Sequence, residues 1–403
     1  PEPVLPREQA EKVAVAMTSG DQADDETVPA GYTYLGQFVD HDLTMDKTEH
    51  SLGERVTVDE LLQGRSPALD LDSLYGLGPS HPDGARFYAE DGASLKMGRT
   101  SAVDDLPEFE GFDLPRRETS PTEPGTALIP DHRNDENLAV AQTHLAFIRF
   151  HNRVVRDLST SGWSSAAVFA EARRQVTLHY QWMLRHDYLP RIVDEEIVKD
   201  VFKHGRRFFE VPQRRDRHVS GRVHPGDTPT MPVEFSVAAF RLGHSMVRGG
   251  YEWNTVFNNE EPPDPRRLGP ATLALLFGFS GTSGFLGATN PLPSNWIADF
   301  RRLFDFVKDA GASAEFGVRP EQFNHAKRID TLLVDPLKDL PLGSFGGSPS
   351  TPEIERNLAF RNLLRADMVA LATGQEAAKF LRVDGNRRLT AKEILAGNGG
   401  AVL

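Results

Sequence analysis

Between Asn137 and about Leu158, the residues Leu138, Ala141, His144, Leu145, Ile148, His151 and Asn152 recur at three- and four-residue spacing. Residues so spaced share one face of an α-helix, so the pattern predicts a long helix with one buried side. A second long helix is expected from about Ser164 to Leu184, with Tyr188-Leu189-Pro190 as its stop. A third is expected from about Val233 to Arg248, closed by Gly249-Gly250. A fourth spans Pro352 to about Thr373, with Thr351 as N-cap and Pro352 in the first turn. Residues 1–30 read as polar and loosely structured, apart from a short helical pattern near Gln9–Met17. Residues 48–132 are rich in Gly, Pro, Asp and Ser and read as long loops, and 204–232 as a polar, basic loop. Residues 251–350 mix short helices with Gly/Pro loops, and there are no repeats, heptads or strand-rich stretches. Long buried helices joined by long loops predict a mainly α-helical chain with little β. The expected organisation is one domain over residues 1–403, with 1–30 as an N-terminal extension and a core over about 30–375.

Composition narrows the chemistry. The chain has 403 residues, 39% hydrophobic and 26% charged, a soluble globular composition with enough length for a large core. No run approaches the roughly 18 apolar residues of a membrane helix. A formal charge of −13 argues against a nucleic-acid surface, which needs basic patches. There is no cysteine, which excludes disulfides, thiolate metal sites, Fe–S clusters, thioether-attached haem and Cys nucleophiles. Any metal is therefore held by His, carboxylate or carbonyl groups. The chain begins at a proline with no visible signal peptide, which is compatible with a processed or trimmed start and a secreted or extracytoplasmic setting.

The densest polar motif is Gly36-Gln37-Phe38-Val39-Asp40-His41-Asp42. On a helix Gln37 and His41 stack one turn apart, while Asp40 and Asp42 flank the histidine. A neutral imidazole suits proton transfer between two oxygens near pH 7. In Ser66-Pro67-Ala68-Leu69-Asp70-Leu71-Asp72-Ser73, hydroxyl and carboxylate oxygens alternate with backbone carbonyls, a pattern suited to Ca²⁺. Arg133 precedes the first long helix. In Phe240-Arg241-Leu242-Gly243-His244, a histidine beside a glycine leaves room for something large and flat, whose carboxylate Arg241 can grip. Arg361-Asn362-Leu363-Leu364-Arg365 offers an Asn to a histidine ring nitrogen. Taken singly, each has an ordinary structural reading: a satisfied core histidine, an Asx-rich turn, a helix-capping charge.

Together, and in this order, these motifs resemble the peroxidase–cyclooxygenase superfamily, the animal-type haem peroxidases. Gly36 to Leu43 looks like the family's distal helix, and Ser66 to Gly76 like its calcium loop. Arg133, eighteen residues before His151-Asn152, is similar to the family's Arg and downstream His-Asn helix. Asp187-Tyr188-Leu189-Pro190 is a further family-like string, and Ala239 to His244 looks like the proximal helix. The likeness spans roughly residues 30–375 and implies haem b as cofactor. By this resemblance His244 is the axial iron ligand and Asn362, or less well Asn357, accepts its other ring proton. Arg241 and Arg365 pair with haem carboxylates. His41 moves the proton of H₂O₂, Arg133 stabilises developing charge and Gln37 positions the small ligand. Asp42, Ser66, Asp70, Asp72 and the Ala68 carbonyl hold Ca²⁺, and Asp40 and Glu136 stand where mammalian members form ester links to haem.

Two positions narrow the kind. Asn137 stands where myeloperoxidase has a sulfonium-forming methionine, which points away from chloride and toward bromide, iodide, thiocyanate or small aromatic donors. Arg241 stands where cyclooxygenases and fatty-acid dioxygenases carry a radical-forming Tyr, which favours a peroxidase over the alternative, a haem-dependent lipid oxygenase. The absence of cysteines and of an animal-type propeptide suggests a bacterial-style minimal catalytic domain.

Overall fold

The computed structural model describes residues 5–103, 111–117, 125–205, 208, 230–260, 266–281 and 291–396. Five helices organise the site: α1 (Arg7–Met17), α2 (Gly31–Leu43), α3 (Asp72–Tyr75), α4 (Leu138–Leu158) and α5 (Ser165–Met183). The Asn137 side chain starts α4 by accepting from the Val140 N–H, and Ser164 does the same for α5 at Ala167. Each cap satisfies one of the donors a helix start leaves orphaned. Helix α2 is buried almost all round, so it is a central helix and its His41 and Asp42 are interior groups. Its Phe38 ring stacks on Phe147 of α4 at 4.6 Å and meets Tyr180 of α5 edge-on. Burying one such ring is worth about 1.5–3 kcal/mol, and each aromatic pair about 0.5–1.5 kcal/mol more. These contacts fix α2 against α4 and α5.

The α-helical class stands, with only two-stranded antiparallel ladders among the described residues. One of them, Asp24–Pro29 against His325–Lys327, lies in the N-terminal stretch expected to be loose. That stretch is integrated because α1 has its own apolar stripe, and Ala10 and Ala14 are fully buried beside Phe360. The expected loop over 204–232 falls mostly outside the described residues.

Three helix expectations need correction. Tyr188-Leu189-Pro190 is no stop: α5 continues through a π-helical turn, Leu184–Tyr188, into the helix Leu189–Ile192. Pro190 follows directly on the π turn, where the regular α-helical hydrogen-bond ladder is already interrupted. The segment 233–248 is not one helix. A short helix Val233–Val237 breaks at Ala238 and resumes as the 3₁₀ turn Ala239–His244, because periodicity near three residues fits both forms. The helix expected from Pro352 is a 3₁₀ turn Glu353–Arg356 followed by the helix Leu358–Met368, whose cap is Asn357.

Candidate functional site

A cavity of about 990 Å³ is lined by residues of α2, the Arg133–Asn137 segment, the Ala239–His244 turn and the Leu358–Met368 helix. It lies at the upper end of the roughly 300–1,000 Å³ of small-molecule sites. It brings together His41, Gln37, Asp40, Arg133, Glu136, Arg241, His244 and Arg365.

On α2, His41 Nδ1 lies within hydrogen-bond distance of Asn134 Oδ1, at 2.8 Å, and among the described residues Nε2 has no partner. Burial, with Arg133 adding, pushes the ring down to about 3, so it is neutral near pH 7. Arg133 is clamped: Nε and Nη2 donate to the Asp131 carboxylate, and Nη2 also to the His41 and Thr44 carbonyls. Nη1 alone is uncommitted among the described residues. Arg65 donates to Asp131 as well. Burial would raise the Asp131 carboxyl, but the hydrogen bonds and charge of Arg133, with Arg65, hold it far below the usual range. Gln37 is oriented by Asn137, whose amide donates to Gln37 Oε1 at 2.9 Å. The Asn137 oxygen is committed to its capping bond, so Gln37 turns its NH₂ toward the cavity. Burial raises Asp40 and lifts Glu136 to about 8.

In the 3₁₀ turn, side chains three apart eclipse, so Arg241 and His244 lie side by side. Both meet Asn362: Arg241 Nη1 donates to Asn362 Oδ1 at 3.0 Å, and the Asn362 amide nitrogen faces His244 Nδ1 at 2.9 Å. This reverses the expected sense of the Asn362 bond. Arg241 only donates, so it takes the amide oxygen and leaves the NH₂ for the ring. Asn357 is not beside His244. Its oxygen caps the helix at Phe360 and its nitrogen donates to Thr18. Among the described residues buried Arg241 Nε has no hydrogen-bond partner, and burial presses this guanidinium below its usual value. Arg365 lies at the cavity wall against His50 and Asp46, and Arg361, which also lines it, was not anticipated. A buried His41 facing a half-buried His244, acid groups and unsatisfied guanidinium atoms around one large cavity fit a flat, iron-bearing dicarboxylate.

Asp42, Asp70 and Asp72 place one carboxylate oxygen each within 4.8 Å of one another. Asp70 Oδ1 and Asp72 Oδ1 are buried without hydrogen-bond partners among the described residues, Arg65 Nε standing 3.9 Å from Asp72 Oδ1. Asp42 accepts from the Leu71 and Ser73 N–H groups, and burial, then Asp72, raises it to about 7. Ser66 joins the loop through its N–H to Asp72, and its hydroxyl accepts from Ala68 N–H. Leu69 and Leu71 hold φ of 55° and 60°, costly for branched side chains and sustained by the surrounding contacts. His151 and Asn152 serve elsewhere, pinning the loop at Ala93 and Leu95. Asn134, Asp131 and Arg65 were missed at the sequence level. The only available signal was their closeness to Arg133 and Ser66.

A family model described as Animal haem peroxidase matches residues 48–272, more than half of the chain. The chain belongs to the animal haem peroxidase family. It is 26% identical over 285 residues to a "Peroxidase-like protein" of Margaritifera margaritifera, covering 58% of this chain and 33% of that one. It is 26% identical over 193 residues to thyroid peroxidase of Mus musculus, covering 46% and 19%. The chain thus spans a third or less of the length of these relatives. Two solved structures share its fold. Peroxidase A from Dictyostelium discoideum has a TM-score of 0.60 at 16% identity, covering 98% of this chain and 72% of that one. Fatty acid alpha-dioxygenase of Arabidopsis thaliana has a TM-score of 0.61 at 12% identity, covering 97% and 63%. Among the described residues no helix is long and apolar enough to cross a membrane.

Proposed function

We propose that the chain is a haem peroxidase that reduces H₂O₂ and oxidises bromide, iodide, thiocyanate or small aromatic donors. One observation carries this reading: a single cavity holds His41, Gln37 and Arg133 together with His244 and Arg241. Haem, when bound, supplies the redox chemistry that splitting the O–O bond requires. His244 would hold the iron through Nε2, and Arg241 and Arg365 would take the haem carboxylates. Arg241 then releases the Asn362 oxygen, and a turned amide can accept the His244 Nδ1 proton, making the ring a stronger ligand. His41 takes a proton from H₂O₂ at Nε2 and returns it to the departing oxygen. Arg133 offers Nη1 to the charge that develops there, and the Gln37 NH₂ orients the oxygen.

Calcium at Asp42, Asp70, Asp72, Ser66 and the Ala68 carbonyl would tie α2 to its neighbouring loop. Asp40 and Glu136 line the cavity as acids whose protonated form burial favours, which supports ester attachment of haem. Mass spectrometry of denatured, peroxide-treated holoprotein tests this, and fully extractable haem contradicts it. Asn137 is committed to α4 and Gln37, which supports donors other than chloride.

Stopped-flow spectra with H₂O₂, followed by a panel of Cl⁻, Br⁻, I⁻, SCN⁻ and phenols, test the whole reading. Purified protein without a Soret band, or with one unresponsive to H₂O₂, refutes it. The second reading, a lipid oxygenase, draws on the apolar flank of the cavity at Phe240, Val247, Leu273 and Phe277. Oxygen uptake with an unsaturated fatty acid would establish it, and Arg241 beside His244 weighs against it.

A further inference from the structure

His144, one turn before Ile148 on α4, is fully buried, and among the described residues its Nε2 has no hydrogen-bond partner. Its Nδ1 meets the Asn134 amide nitrogen at 3.0 Å, and the oxygen of that amide meets His41 Nδ1 at 2.8 Å. Asn134 is itself wholly buried, so both contacts of the amide lie out of bulk solvent, where hydrogen bonds are stronger. A primary amide has one donating end and one accepting end. Two ring nitrogens bridged by it therefore cannot both be protonated or both be bare. If His41 carries its proton on Nδ1, His144 must carry its own on Nε2, and the reverse holds.

Intrinsic imidazole preference cannot choose between the two arrangements, because each contains one ring of either kind. The choice falls to the surroundings of the two remaining Nε2 atoms. The one on His41 belongs to a cavity residue, where a bare nitrogen is the useful form. The His144 ring meets the Phe38 ring at 5.8 Å, an apolar neighbour with no proton to offer a bare ring nitrogen. Burial also keeps His144 neutral, so its Nδ1 stays able to accept.

We propose that Asn134 and His144 are positioning residues that lock His41 in the Nδ1-protonated form, leaving Nε2 bare toward the cavity as the proton acceptor. The lock outlasts the proton transfer. Once Nε2 has taken a proton, Nδ1–H still donates to Asn134 and nothing else has to turn. The alternative arrangement would present an N–H to the incoming peroxide and block the transfer.

This rests on the peroxidase reading, and its test is separable from that reading. Long-range ¹H–¹⁵N spectra of ¹⁵N-histidine-labelled holoprotein, as the diamagnetic ferrous carbon monoxide form, report each ring's tautomer without any turnover. The expected pattern is Nδ1–H on His41 and Nε2–H on His144, assigned with the His144→Phe variant. The opposite pattern overturns the proposal even if the enzyme is fully active. A double-mutant cycle then reads the coupling. Asn134→Ala should slow both the reaction with H₂O₂ and the binding of HCN, which must also surrender a proton, by about tenfold to a hundredfold. His144→Phe should slow both less. The double variant should be no slower than Asn134→Ala, since both act through one amide. Effects that multiply, or an Asn134→Ala variant within about twofold of wild type at normal haem content, contradict the lock. Failure of the peroxidase reading has its own signature, a His41→Ala variant that reacts with H₂O₂ at the wild-type rate.

Discussion

Asn137 performs two tasks that substitution can separate. Its oxygen caps α4 and its nitrogen orients Gln37. Asn137→Ala should cost about 0.5–2 kcal/mol in thermal unfolding and slow the reaction with H₂O₂. Asn137→Ser restores a capping oxygen but no donor to Gln37, so stability should return and the rate should not. Recovery of both would show that Gln37 does not need its neighbour. Asp131 is the second residue with a measurable role, a buried carboxylate between Arg133 and Arg65. Removing one member of a buried ion pair strands its partners, so Asp131→Asn should lose about 3–5 kcal/mol. Because the folded carboxyl titrates below its usual 3.8, its stabilisation is complete above that value. It fades as pH falls below that value and is gone once pH has passed the lower, folded one. The deficit of Asp131→Asn in chemical unfolding should thus stay constant from neutral pH to about pH 4 and shrink below. A deficit that shrinks already between pH 7 and 5 would contradict the clamp.

The π-helical turn after α5 presses against α2. A Cβ at Gly36 would collide with the Tyr188 hydroxyl, which has no hydrogen-bond partner among the described residues. Gly36→Ala should therefore destabilise by about 1–3 kcal/mol, and Tyr188→Phe in the same chain should recover part of it. Equal losses with and without the hydroxyl would place the conflict elsewhere. The loop over residues 66–73, proposed to hold calcium, acts at the same scale, its Leu71 and Ser73 N–H groups donating to Asp42 of α2. Chelation should lower the melting temperature of the wild type and leave Asp70→Asn/Asp72→Asn unchanged, and a wild type indifferent to chelator would exclude a structural ion. Sequence periodicity anticipated α4 and α5 nearly to the residue, because each buries one stripe and opens on a capping side chain. It misread the segment before His244, since three-residue spacing is common to 3₁₀ and α turns. The π turn was equally hidden, as nothing in Leu184–Tyr188 marks an extra residue per turn.

Across the whole molecule, the cavity collects side chains more than three hundred residues apart in sequence, from Thr33 to Arg365, and its ordered motifs were legible only because they match a family pattern. The contacts that were not legible are the long-range ones: Asn134 to His144 and His41, Asp131 to Arg65, and Arg241 to Asn362. Each depends on which amide or carboxylate the fold delivers, and no local spacing encodes that. The fold is shared with both a peroxidase and fatty acid dioxygenases, so the fold alone does not assign the reaction. The assignment depends on His41. The most direct measurement is stopped-flow mixing of H₂O₂ with haem-loaded wild type and His41→Ala. The account predicts a fast Soret change in the wild type and a loss of about a hundredfold or more in the variant, the scale of a removed acid–base group. A His41→Ala protein that reacts as fast as the wild type would contradict it.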